Sequence, residues 1–208
     1  MSLASEERRE LTGLLDELGP DAPTLCTGWT TRDLTSHLLA RERKPWAAPG
    51  ILVTALEPLA RLAMRGYDDL PWPKLVEKLR GGPPPWSIYG VPKLDRMFNG
   101  NEFLVHHEDV RRGGSDWQPR APLAKRDDAV WRSLCAGARV LYRHSPIGVV
   151  LRRTNGDEHV ARTGERSVTI VGEPAELMMH AYGRTAIRVK LEGDPADVST
   201  LSGTSRGF

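Results

Sequence analysis

Apolar positions recur at helical spacing through the first half of the chain and at strand spacing later. "SEERRELTGLLDELGP" places Leu11, Leu14, Leu15 and Leu18 on one stripe. Ser5 stands ready as the N-cap, and Gly19 and Pro20 stop the helix. "WTTRDLTSHLLARERKP" predicts a second helix capped by Thr30, with Asp33 completing an approximate capping box. Its inward stripe is Leu34, His37, Leu38 and Arg41, so a histidine falls on the face that should be buried. "ILVTALEPLARLAMRG" and "WPKLVEKLR" continue the helical pattern, broken at Pro58 and Pro73, and "GGPPPW" reads as a rigid loop. A further helix is expected from about Leu94 to Arg112, with Gly100 interrupting it at a cost of about 1 kcal/mol against alanine.

After "GGSDWQPRAP", which has the composition of a linker, the period changes. "LAKRDDAVWRSLCAGARVLYRHS" predicts a helix. "IGVVLRR" and "EHVAR" read as strands around "TNGD", where Asn-Gly suits the positive φ values of a type I′ turn. "RSVTIVGEP" is a third strand, "PAELMMHAYGR" a helix with proline in its first turn, and "AIRVKLEG" a fourth strand. The pattern predicts an α+β protein: a helical bundle over residues 1–116, then a small α+β domain over residues 117–208.

Composition narrows the function classes. With 39% hydrophobic and 27% charged residues the chain has the make-up of a globular protein, and no apolar run approaches the roughly 18 residues of a membrane span. "MSLASEERRE" lacks a basic segment followed by an apolar one, and two cysteines are too few for a disulfide framework. A cytoplasmic location is the expectation. Acids alternate with bases at a net charge of +2, without the basic, aromatic-interleaved stripe of a nucleic-acid binder. Neither nucleic acid nor a membrane is expected as a partner; a monomer or a homodimer would suit the polar helix faces. No nucleophile–histidine–acid signature, phosphate loop or dinucleotide fingerprint is present.

The candidate chemistry lies in "NEFLVHHEDVRR". Residues four apart on a helix share a face with Cβ atoms about 5–6 Å apart. Glu102 and His106 have that spacing and can close on one ion through bonds of about 2.0–2.2 Å. His37 is the natural third ligand; two nitrogens and one oxygen would leave a position open for water or substrate. Asp109 returns to the same face and is placed to orient a ligand imidazole, whereas His107 points about 100° away. The spacing equally suits the polar edge of a packed helix. Cys26 and Cys135 read as small buried hydrophobes, His180 as a packing residue, and His144 and His159 as exposed.

"GWTTRDLTSHLLARE" followed by "NEFLVHHEDVRR" resembles the DinB-like metal-binding superfamily, in the branch of mycothiol-dependent maleylpyruvate isomerase. The residues that carry the likeness are Trp29, Thr30, Asp33, Leu34 and His37, then Glu102 and His106. "VTIVGEPAELMMHAYGR" resembles the signature of that family's C-terminal domain. The resemblance implies a DinB-like four-helix bundle followed by a sterol-carrier-like α+β domain. It also implies a divalent metal, zinc in most members, held by His37, Glu102 and His106. The implied co-substrate is a low-molecular-weight thiol such as mycothiol, transferred to a small electrophile or used to isomerise it. Arg184, in "YGR", is the implied anion-binding arginine. At 208 residues the chain reads as shorter than the isomerase, and "HHEDVRR" and "TLCTGWTTRDL" mark a sister group of predicted metal-binding proteins, so no particular substrate is carried over. The alternatives are a non-catalytic module binding a metal or small ligand, and a metal-free hydrogen-bonded cluster.

Overall fold

The first helix begins earlier than Ser5. α1 spans Leu3–Leu18 because the Ser2 side chain, on extended backbone, accepts the Ser5 N–H at 3.2 Å, which brings Ala4 into the buried face. Gly19 ends it at φ 77°, its N–H returning to the Leu15 carbonyl at 3.1 Å. Leu11 and Leu15 are buried as expected, but Leu18 at the frayed end is 45% exposed. α2 (Thr31–Arg43) carries the full capping box, with the Thr30 side chain accepting from the Asp33 N–H and Asp33 accepting from the Thr30 N–H at 2.9 Å.

The computed structural model describes residues 2–44, 46, 57–87, 89, 92–204 and 206; the start of the helical pattern at "ILVTALEPLARLAMRG" lies outside them. It divides into two compact units, Met1–Trp117 and Gln118–Phe208. In the first, α3 (Glu57–Arg65), α4 (Trp72–Arg80) and α5 (Pro92–Arg111) complete the described helices. Pro58 and Pro73 start helices instead of breaking them, since each falls in a first turn where its missing N–H is not needed. α1 packs on α4 and α5, and α2 packs on α3 and α4. Leu11, Leu34, Leu38, Leu75, Leu79 and Phe103 form the centre of the core. Gly100 does not interrupt α5. A Cβ there would meet the Leu3 side chain of α1 at 3.4 Å, ordinary van der Waals contact.

In the second unit α6 (Ala124–Leu141) precedes β1 (Gly148–Arg153), β2 (Glu158–Arg162), β3 (Ser167–Gly172), α7 (Pro174–Ala181), β4 (Lys190–Glu192) and α8 (Pro195–Ser202). The sheet order is β2-β1-β3-β4, with β1 parallel to β3 and both outer pairs antiparallel. Val149 and Leu151 of β1 and Val168 and Ile170 of β3 are buried at alternate positions, while α6 packs on α7 and α8 on β3. The class is α+β, with a helical first unit.

Two local expectations are corrected and one element is added. The β1–β2 turn is not type I′: Gly156 alone has positive φ, at 97°, and the bonds Gly156 N–H to Arg153 O and Arg153 N–H to Asp157 O define a three-residue loop closed by a left-handed glycine. β4 is shorter than "AIRVKLEG" because the Arg188 N–H goes to Glu176 Oε2 at 2.7 Å instead of into the sheet. α8, capped by Asp194 with Pro195 in its first turn, was not anticipated. No described helix is long and apolar enough to cross a membrane.

Candidate metal centre

α5 presents Glu102, His106 and Asp109 within little more than two turns, and α2 presents His37 and, one turn later, Arg41. Glu102 Oε1 is the meeting point. It lies 3.4 Å from His37 Nε2, 3.2 Å from His106 Nε2 and 3.6 Å from Arg41 Nε. The two imidazoles meet edge to face with centroids 5.2 Å apart, and Trp29 stands 5.1 Å from His37. The ligand atoms of His37, Glu102 and His106 all lie within 4.8 Å of one another. The other nitrogen of His106, Nδ1, is 3.0 Å from Asp109 Oδ2.

The electrostatics follow from burial and neighbours. Burial pushes the Glu102 carboxyl up, but Arg41, His106 and His37 together outweigh it and hold it well below the usual carboxylate range. Burial lowers His37, and hydrogen bonding to Glu102 only partly offsets that, so its imidazole is neutral near pH 7. Burial also acts to lower His106, yet its bonds to Asp109, Cys26 and Glu102 raise it well above an ordinary histidine. Without an ion, His106 therefore donates from both ring nitrogens.

A polar chain leads away from this cluster. Arg41 donates to Asn99 Oδ1, Asn99 Nδ2 donates to Glu42 Oε1 at 3.1 Å, and Arg8 donates to Glu42 Oε2 at 2.9 Å. Arg41 also stacks over the Tyr89 ring at 4.4 Å. This ladder fixes the α2 side of the site through α1.

The donor set fits a divalent ion. Two imidazole nitrogens and one carboxylate oxygen, from two helices, are the types and number of an open zinc site. Glu102 is ionised and His37 neutral, as ligands must be; His106 would give up its Nε2 proton while Asp109 keeps the Nδ1 proton in place.

The remaining candidates make other contacts. His107 faces α1 and bonds Glu7 Oε2 at 2.9 Å; with half-exposed Glu10 these form another group of possible ligand atoms within 4.8 Å. Arg184, in the second unit, donates to the Tyr182 carbonyl at 3.0 Å. His180 is buried against Tyr142 Oη at 2.8 Å. Cys135 is half-buried instead of core.

Sequence reasoning missed two residues at the site. Arg41 follows His37 by four, so helical spacing alone could have placed it on the ligand face beside His37. Cys26 was read as a packing residue, but its thiol donates to Asp109 Oδ2 at 3.3 Å. No spacing rule reaches it, because it sits in the loop before α2.

Among known proteins, the match falls on the segment that carries α1, α2, α3 and α4. Residues 2–81 match the family model of the mycothiol maleylpyruvate isomerase N-terminal domain. The expected family resemblance is borne out. The matched segment contains the "GWTTRDLTSH" motif and His37 and stops before Glu102 and His106. The fold is shared with a crystal structure of the mycothiol-dependent maleylpyruvate isomerase, at 17% identity and a TM-score of 0.59. That likeness covers 92% of this chain and 91% of the other. A crystal structure of a histidine-to-alanine mutant of the mycothiol-dependent maleylpyruvate isomerase matches at 16% identity and a TM-score of 0.58, with the same coverage. No curated protein matches the sequence.

Proposed function

We propose that this chain is a metal-dependent enzyme, with zinc as the ion, that applies a low-molecular-weight thiol such as mycothiol to a small electrophile. The observation that carries the reading is the convergence of His37, Glu102 and His106 on one point, with Glu102 ionised and His37 neutral. The mycothiol dependence of the structurally similar isomerase supports the choice of thiol.

A divalent ion, when bound, supplies an open electrophilic position that favours thiolate over thiol. The protein does the rest. His37 and Trp29 wall one side of the cluster. Arg41 keeps the Glu102 carboxylate charged and oriented. Asp109 holds the proton on His106 Nδ1 and so leaves Nε2 facing the cluster. In isomerisation, a thiolate sulfur bonds to one carbon of an electron-poor cis alkene. The π pair moves onto the adjoining activating group, the adduct rotates about the new single bond, and expulsion of the same thiolate restores a trans alkene. In transfer, the new C–S bond persists and the displaced pair leaves with the leaving group or takes up the thiol's proton.

Metal analysis of untagged protein beside His37→Ala and Glu102→Ala tests the reading. About one equivalent of zinc, lost in both variants, supports it; a folded parent that stays metal-free after incubation with zinc refutes it. A panel of electrophiles then separates the chemistries. Transfer consumes thiol, isomerisation alters the alkene at constant thiol, and a binding module does neither. One observation favours a second reading, a non-catalytic cluster: Glu102 Oε1 already lies within 3.2–3.6 Å of three nitrogens, so the group is satisfied without an ion.

A further inference from the structure

Cys26 takes no part in the ligand set above, yet it is built into the same centre. Its Sγ lies 3.3 Å from Asp109 Oδ2 and 4.0 Å from His106 Nδ1. The same Asp109 oxygen is 3.0 Å from His106 Nδ1, so one fully buried carboxylate oxygen accepts from both a thiol and an imidazole. The loop bearing Cys26 is anchored to the residue its thiol contacts. The Leu25 N–H donates to the Asp109 carbonyl at 3.0 Å. The Cys26 N–H donates to Thr24 Oγ1 at 3.1 Å, and that hydroxyl donates to the Trp29 carbonyl at 2.9 Å. The thiol is thereby held in one place by backbone at both ends of its loop.

We propose that Cys26 is a positioning residue of the metal centre: through Asp109 it fixes the His106 ring so that Nε2 faces His37 and Glu102. Two donors on one oxygen leave the carboxylate a single orientation, and a carboxylate on Nδ1 both sets the ring plane and makes Nε2 a better ligand. The hydrogen-bonded relay stands without an ion; its consequence for metal affinity rests on the function proposed above. The competing arrangement is a second ion held by Cys26 Sγ, Asp109 Oδ2 and His106 Nδ1, which also lie within 4.8 Å of one another. The 3.0 Å separation of Nδ1 and Oδ2 is that of a hydrogen bond with the proton between them, which favours the relay.

The test is a zinc titration of the full untagged chain in competition with a chromophoric chelator. Losing an outer partner of a ligand costs roughly 10–100-fold in affinity. Cys26→Ala is expected near the lower end of that range, Asp109→Asn near the upper, and Cys26→Ser, which keeps a donor, close to the parent. Cys26→Val, without a donor but with side-chain bulk, replaces the alanine variant should the latter fail to fold. In the metal-free protein, the hydrogen-bonded Nδ1 proton of His106 should shift by NMR in Cys26→Ala and return in Cys26→Ser. Equal zinc affinity in parent and Cys26→Ala, with that proton unmoved, overturns the proposal. So does a sulfur-to-cobalt charge-transfer band in the cobalt-loaded parent that vanishes in Cys26→Ala, since Cys26 would then be a ligand. A parent that binds no metal sinks the function proposed above and leaves the NMR arm to decide this one.

Discussion

His180 is the residue whose protonation the second unit can least tolerate. It is 3% exposed, its Nδ1 lies 2.8 Å from Tyr142 Oη, and its ring stacks on that of Tyr142 at 22° with centroids 6.0 Å apart. Burial first, and then Arg206, lower its pKa from 6.5 to about 3. The folded state therefore keeps His180 neutral while the unfolded chain takes up a proton below pH 6.5. Stability is complete above that value and falls as pH drops toward 3. The gap between the two values corresponds to about 5 kcal/mol at the acid limit, and the loss proceeds at about 1.4 kcal/mol per pH unit. By pH of about 4.5 the loss should reach roughly 3 kcal/mol, a large part of the 5–15 kcal/mol typical of a domain. His180→Asn keeps an acceptor for Tyr142 and cannot titrate. Urea unfolding of both proteins from about pH 7 to about 4.5 isolates this residue, because every other titrating group cancels in the difference. The variant should be less stable than the parent at neutral pH, where it loses ring packing, and gain on it steadily on acidification. A difference that stays flat across the range would show that His180 is not held neutral, and the argument from burial would fall.

Three further outcomes are expected. Arg8→Met strands the fully buried Glu42 carboxylate and should cost about 3–5 kcal/mol, much of it regained in the double variant with Glu42→Leu; thermal melts in which the double is no better than the single contradict this. Gly113→Ala would set a Cβ 2.0 Å from the Pro23 carbonyl oxygen and should destabilise by about 1–3 kcal/mol, whereas Gly114→Ala meets nothing within 4 Å and should be near neutral. Equal melting temperatures for the two would reject the close approach of this turn to the loop before α2. Arg184→Ala, testing the anion-binding role implied by the family resemblance, should raise KM for an anionic electrophile without changing zinc content. An unchanged KM removes Arg184 from the site.

Much of the local structure was legible because its causes act over a few residues. The Thr30–Asp33 capping box, the stop at Gly19 and the proline-led helix at Pro174 each depend on groups within one turn. Where a competing local partner went unnoticed, the reading slipped: Ser2 capped α1 ahead of Ser5, and Gly156 alone supplied the positive φ of the hairpin. The Glu102–His106 spacing could be read directly, since helical geometry puts residues four apart on one face in any fold.

What the sequence alone determined was therefore the α+β class, the periodic faces and the donors each helix would carry. What only the tertiary structure decided was which donors meet. His37 comes to 3.4 Å from Glu102 across 65 residues, Arg41 and Asn99 link that carboxylate to Arg8 on α1, and the loop at Cys26 folds onto Asp109. The physical reason is range. Caps, turns and helical spacing are settled within a turn of the chain, whereas these contacts exist only after the Leu11, Leu38 and Phe103 core has packed and set the distance between helices.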